Sequence, residues 1–126
     1  MASILIVEDH PTMREAMRLV LEEGGYDVEE AIDGEAGLAA VQAEPPDLVL
    51  LDLNIPVLSG EEVLEAMRGD ASTSEVLVVV VTATGEEGRA RSLARGADDY
   101  LTKPFSPPVL LQTVERALRG SAPSGS

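Results

Sequence analysis

A doubly wound α/β fold, with five parallel strands in the order 2-1-3-4-5, is what the sequence predicts, and three features predict it. Strand-like and helix-like segments alternate five times along the chain, the pattern of a parallel sheet covered by helices on both faces. Residues 4–7, 48–51 and 76–81 are unbroken apolar runs, as strands buried on both faces must be, so they belong at the centre. The strand segments at 26–32 and 99–102 are polar enough for the edges. Right-handed crossovers between parallel strands then select the order.

The first strand (ILIV) ends in Glu8 and Asp9. Pro11 suits the first turn of a helix. Met13, Ala16, Met17, Val20 and Leu21 recur at helical spacing and give it one apolar face. Gly24 and Gly25 end that helix. Residues 26–32 (YDVEEAI) read as a short second strand, and 34–43 as a small alanine-rich helix closed by Glu44, Pro45 and Pro46. The central strand exits on Asp52, and Pro56 stops its extension. Ser59 and Gly60 open a third helix with Glu61, Glu62 and Glu65 outward and Val63, Leu64 and Met67 inward; its early glutamates suit the positive end of the helix dipole.

A loop over 69–74 leads into the most apolar strand, which ends at Thr82. A fourth helix over 86–95 is weak. Gly88 interrupts it, and only Ala90, Leu93 and Ala94 offer an apolar stripe, with Gly96 as its C-cap. Residues 99–102 form the fifth strand, followed by Lys103, Pro104 and Phe105. A fifth helix over about 108–119 turns Leu110, Leu111, Val114, Ala117 and Leu118 inward.

The length of 126 residues suits one domain, expected over 1–120, with 121–126 (SAPSGS) as a flexible polar tail. So short a tail favours a standalone or adaptor protein. Tyr26, Tyr100 and Phe105 are the only aromatics, so aliphatic side chains must fill the core. With no cysteine, disulfides, thiolate metal sites and cysteine nucleophiles are excluded. A net charge of −14 argues against direct nucleic-acid binding. No apolar run has the length of a membrane span, and Met1, Ala2 and Ser3 lack the basic region of a signal peptide. A cytoplasmic location is expected.

In the order 2-1-3-4-5 the winding reverses between the first and third strands, where a ligand crevice opens at the strand ends. Glu8, Asp9 and Asp52 meet there. Two carboxylates about 4 Å apart repel by roughly 4 kcal/mol at an effective dielectric of ~20, so a cation or a proton has to share the site. Hard oxygen donors without His or Cys suit Mg²⁺ or Mn²⁺. Glu8 and Asp9 alone read equally well as caps of the first helix; Asp52 beside them favours the metal. Thr82 brings a hydroxyl to the same edge, with small Ala83 after it, and Lys103 brings an ammonium. Separately these are a strand-forming threonine and a solvated lysine. Together they form a phosphoryl-binding site in which Asp52 attacks in line.

Glu8-Asp9, Asp52 with Pro56 and Gly60 downstream, Thr82-Ala83 and Lys103-Pro104-Phe105 resemble the receiver domain of two-component response regulators, over residues 4 to about 119. The resemblance implies a flavodoxin-like fold and a cytoplasmic, bacterial phosphorelay protein that is a signalling switch and not an enzyme. It implies that Asp52 takes a phosphoryl group from the phosphohistidine of a sensor histidine kinase or a phosphotransfer protein. Asp9, Asp52 and the backbone carbonyl of Asn54 would bind Mg²⁺, with Glu8 nearby or acting through water. Thr82 and Lys103 would hold the phosphoryl oxygens. Tyr100 matches the aromatic that swings inward when the threonine moves, Asn54 and Thr84 match positions that tune loss of the phosphoryl group, and the bond before Pro104 is often cis. The fourth helix, fifth strand and fifth helix would form the surface that signals to an effector or supports phosphorylation-dependent dimerisation. Two positions depart from the usual pattern: Glu8 replaces an aspartate, and Ile55 stands where methionine is frequent.

Other functions fit less well. An aspartyl-phosphate phosphatase needs a second acid two residues after its nucleophile, and Asn54 stands there. A flavodoxin-like electron carrier would need a Ser/Thr/Gly-rich loop after the first strand and aromatics to stack on a flavin. The remaining alternative is a receiver-like interaction module that acts without phosphorylation.

Overall fold

The computed structural model describes residues 1–83, 90, 91 and 93–120. Five strands, β1 (Ser3–Val7), β2 (Asp27–Ala31), β3 (Leu48–Asp52), β4 (Leu77–Thr82) and β5 (Asp99–Thr102), form one sheet in the order β2-β1-β3-β4-β5. Every pairing is parallel. The expected order is therefore present, with β2 a residue shorter at each end than its polar run and β4 beginning one residue after Val76.

Alternation along the central strands divides the core in two. Ile4, Ile6, Leu48, Leu50, Val79, Val81 and Leu101 face helix α1 (Pro11–Glu23) and the C-terminal helix (Pro107–Gly120), where Met17, Leu21, Leu110 and Val114 meet them. Leu5, Val7, Val49, Leu51, Val78 and Val80 face α2 (Gly34–Ala43) and α3 (Gly60–Arg68), packing on Val41, Val63, Leu64 and Met67. Each such side chain contributes about 1.5–3 kcal/mol by leaving water. No helix among the described residues is long and apolar enough to cross a membrane.

Local chemistry sets the helix ends. Pro11 opens α1. The Asp33 carboxylate accepts the Ala36 amide at the start of α2, 2.7 Å away. Ser59 and Glu62 close a reciprocal cap on α3, at 3.2 and 2.9 Å. Between β3 and α3, Val57 is held at φ 73°, where a β-branched residue is strained; the Leu58 amide donates to the Pro56 carbonyl across it at 2.9 Å.

The expected fourth helix differs from its sequence pattern. Residues 90, 91, 93 and 94 are helical, but Ala90, Leu93 and Ala94 are all exposed, so the anticipated apolar stripe covers no core. Glu86 and Gly88 lie outside the described residues, as does the tail at 121–126. Gly96 does terminate the segment, at φ 107°. Charge ties this segment to α3 instead: Arg91 meets Glu61 at 3.3 Å and Arg95 meets Glu65 at 3.0 Å. Arg68, at the end of α3, donates to the carbonyls of Gly96, Ser74 and Val76 and to the Asp98 carboxylate.

Gly60 lets α3 start directly over the end of β3. Its amide donates to the Leu53 carbonyl at 3.2 Å, and a Cβ there would lie 2.5 Å from the Asp52 carbonyl oxygen and 2.6 Å from Leu53 Cα. Backbone cannot give way as a side-chain tip can. Gly60→Ala should therefore cost about 1–3 kcal/mol in urea unfolding; an unchanged midpoint would mean that α3 does not need this close approach.

Candidate functional site

The ladder extends one residue past three strands. The Glu8 amide donates to the Ala31 carbonyl at 3.1 Å, Leu53 to Val81 at 3.1 Å, and Lys103 to Thr82 at 2.9 Å. Backbone pairing thus holds Glu8, Asp52, Thr82 and Lys103 along one edge of the sheet before any side-chain contact is made. They line a recess of about 720 Å³ together with Asp9, Asn54 and Ala83.

Glu8 and Asp52 are buried, at 1% and 4% exposure, while Asp9 is exposed. One carboxylate oxygen from each of the three lies within 4.8 Å of the other two. The Lys103 ammonium donates to Asp52 Oδ2 at 2.9 Å and to Glu8 Oε1 at 3.1 Å. The Asn54 amide donates to Asp52 Oδ1 at 2.9 Å, and the His10 amide to Glu8 Oε2 at 3.2 Å. Asp52 is therefore aimed by its own turn on one side and by Lys103 on the other. The Lys103–Pro104 bond is cis.

Burial raises the Glu8 carboxyl above its ordinary range, helped by the charge of Asp52 and a hydrogen bond to it; the His10 amide and Lys103 oppose this. For Lys103, burial pulls down, but the hydrogen bonds and charges of Asp52 and Glu8 outweigh it and leave its pKa raised. Two buried carboxylates beside one ammonium, with the Glu8 carboxyl still held above its ordinary range, are short of positive charge. A divalent cation with a taste for hard oxygen would supply it, so the donor set fits Mg²⁺.

Thr82 is buried at 3% exposure on the recess wall. Tyr100 does not line this recess. It is half-buried on β5 opposite Val80, beside a second hollow shared with Phe105, Val109 and Arg116. Thr82 pairs with Thr102 in the same register, so Thr82 and Tyr100 project toward one face of the sheet. Thr84 lies outside the described residues.

Two arrangements went unnoticed in the sequence. Arg14 donates to the backbone carbonyl of Glu8 at 2.9 Å while its Nε meets Glu30 at 2.8 Å, bracing β1 where it delivers the acids. Arg91 and Glu61 form the outer rim of the recess. The four-residue spacing of Glu61 with Glu65 and of Arg91 with Arg95 was the available signal for that second pair.

The family model of the response regulator receiver domain matches residues 4–115. The chain is 40% identical over 121 residues to the phosphate regulon transcriptional regulatory protein PhoB of Klebsiella pneumoniae, covering 95% of this chain and 53% of that protein. It spans about half the length of the curated regulators of that kind that it matches. Protein PilH of Pseudomonas aeruginosa is 39% identical over 95% of this chain and 100% of its own length. Among solved structures, chemotaxis response regulator CheY4 of Vibrio cholerae superposes with a TM-score of 0.88 at 35% identity, covering 93% and 98% of the two chains. The receiver domain of Francisella response regulator 1452 gives 0.90 at 27% identity, covering 97% and 100%.

Because folding raises the Glu8 pKa, the stability linked to its proton is complete below its ordinary value of 4.5 and is lost as pH rises through the folded value. Above that folded value and without metal, ionised Glu8 is a cost. Glu8→Gln should then raise stability by about 1 kcal/mol, a few degrees of melting temperature, in chelator at pH 7. Mg²⁺ should stabilise the wild type more than the variant. A variant less stable than wild type in chelator would overturn this account of the acids.

Proposed function

The chain belongs to the response regulator receiver domain family of two-component signalling, and we propose that within it Asp52 is the phosphoryl acceptor of a switch. The observation that carries this reading is the placement of the Asp52 carboxylate, within 4.8 Å of two other acids and 2.9 Å from an ammonium, at the floor of an open recess. An Asp52 oxygen forms the bond to phosphorus, and the phosphorus–nitrogen bond of a phosphohistidine breaks with its electron pair going to the imidazole. Asp9, Asp52 and the Asn54 carbonyl would hold Mg²⁺, with Glu8 close by or acting through water. When bound, the cation neutralises charge on the phosphoryl oxygens.

The chain's own groups do the rest. Lys103 turns from Glu8 and Asp52 to a phosphoryl oxygen, and Thr82 offers its hydroxyl to another. Asn54, beside Asp52, and Thr84 tune how fast water removes the group. The new charge of about −1.5 to −2 draws Thr82 inward, and Tyr100 follows on the same face of the sheet. The segment around 90–95, held by charge and not by a buried stripe, then shifts with β5 and the C-terminal helix as the surface read by an effector. We read 1–120 as the receiver domain, with a histidine kinase or phosphotransfer protein upstream. Partners, location in the cytoplasm and phosphorylation-dependent dimerisation follow from the family reading.

Intact mass after incubation with acetyl phosphate and Mg²⁺ tests the chemistry: one phosphoryl group should appear, and it should vanish in chelator and in Asp52→Asn. A folded chain that neither gains the group nor binds beryllofluoride would instead be a phosphate-independent interaction module. Amide shifts test the switch. Phosphorylation should move resonances of Tyr100, 90–95 and the C-terminal helix, and Thr82→Ala should abolish most of that movement while leaving Asp52 modified; unchanged shifts there would refute the proposed output surface.

A further inference from the structure

The recess around Asp52 is larger than a phosphoryl group needs. At about 720 Å³ it is within the range of pockets that take whole small molecules. Beyond the acceptor and its partners it is also lined by His10, Met13, Glu61 and Arg91. Among the described lining residues, two carry a permanent positive charge, Lys103 and Arg91. Lys103 is directed inward onto Asp52 and Glu8. Arg91 stands at the rim with half of its side chain in solvent, 54%, and its Nε 3.3 Å from Glu61 Oε2.

The position of Arg91 is fixed by more than that contact. One turn further along, Arg95 meets Glu65 at 3.0 Å, and Arg68 holds the Gly96 carbonyl at 3.0 Å. Three successive ties thus set the register of this segment on α3. As a stabilising device an exposed pair such as Arg91–Glu61 contributes little, about 0–1 kcal/mol. Its location at the mouth of an acidic recess is a different matter. With a net charge of −14 and three carboxylates lining the recess, this chain repels anions, and a phosphodonor is an anion. A cation at the entrance raises the local concentration of such a molecule.

We propose that Arg91 is a specificity-determining residue of the acceptor site toward small-molecule donors: from the rim, restrained by Glu61, it engages the leaving-group end of a small acyl phosphate and favours it over free phosphoramidate. The inference rests on the reading of Asp52 as acceptor. With acetyl phosphate, an Asp52 oxygen bonds to phosphorus, the bond from phosphorus to the bridging acyl oxygen breaks, and acetate departs with the electron pair, needing no proton. Negative charge gathers at the outer end, toward Arg91. With phosphoramidate the leaving nitrogen is already protonated and departs as neutral ammonia. A guanidinium at the rim has no charge to stabilise there.

The test follows the rate of phosphorylation by intact mass, in Mg²⁺, with acetyl phosphate or phosphoramidate as donor. Arg91→Gln should slow the acetyl phosphate reaction about 3- to 10-fold and the phosphoramidate reaction less than about 2-fold, as expected for one charge acting across solvent over several ångströms. Arg91→Lys should restore most of the loss, and added salt should erode the wild-type preference. Glu61→Gln, which frees the guanidinium without removing it, should speed acetyl phosphate selectively. If Arg91→Gln slows both donors equally, Arg91 only holds its segment in place, and the inference is overturned; a donor ratio that ignores both substitutions overturns it too. A wild-type chain that neither donor modifies sinks the acceptor reading and this inference with it.

Discussion

Lys103 lets two carboxylates remain buried at the end of the sheet. Glu8 and Asp52 each lie within 3.1 Å of its ammonium, and without that charge only the backbone amides of Asn54 and His10 would offset the desolvation of two acids side by side. The compensation is partial, because Glu8 is still held above its ordinary range. That residual deficit makes the edge receptive. The folded chain supplies one positive charge where two acids are buried and a third stands beside them, and a divalent cation would complete the balance. Fold and function are linked here by an electrostatic shortfall.

The same economy shapes the segment at 90–95. Elsewhere helices are held by apolar faces on the sheet, as Val63, Leu64 and Met67 hold α3. This segment has Ala90, Leu93 and Ala94 in solvent and is fastened by Glu61, Glu65 and Arg68. Apolar packing is specific in depth and resists sliding. Exposed charge pairs are shallow and can exchange partners. If the segment responds to an event at Thr82, as proposed, the second kind of contact suits it better.

Most of the fold was legible because a strand buried on both faces has to be apolar at every position. The runs ending at Val7, Leu51 and Val81 could occupy only the middle of a sheet, and the polar YDVEEAI only its edge. The site was legible for a related reason: each of its side chains terminates a strand, so finding strand ends finds Glu8, Asp52, Thr82 and Lys103. The rest depends on proximity through space. Nothing local in the sequence says that Arg14 reaches the Glu8 carbonyl, and the matched spacings of Glu61 with Glu65 and Arg91 with Arg95 do not by themselves say that the two pairs meet across 30 residues. The exposure of Ala90, Leu93 and Ala94 was misjudged because helical spacing marks a face without showing that anything covers it. The positive φ of Val57 was equally invisible, since residue type argues against it.

The two edge strands, polar enough to betray their position, also govern how the molecule behaves in company. β2 exposes Asp27, Glu29 and Glu30, with Arg14 and Arg18 gathered on Glu30. β5 carries Asp99 clasped by Arg116 at 2.8 Å. An open sheet edge is a template for another strand, and charge along it is the usual deterrent to aggregation. A second chain adding itself to either end would have to strip water from these ions before its first backbone bond formed. The sheet is thereby closed to growth without being a barrel, and association is left to the helices and the loops at the strand ends.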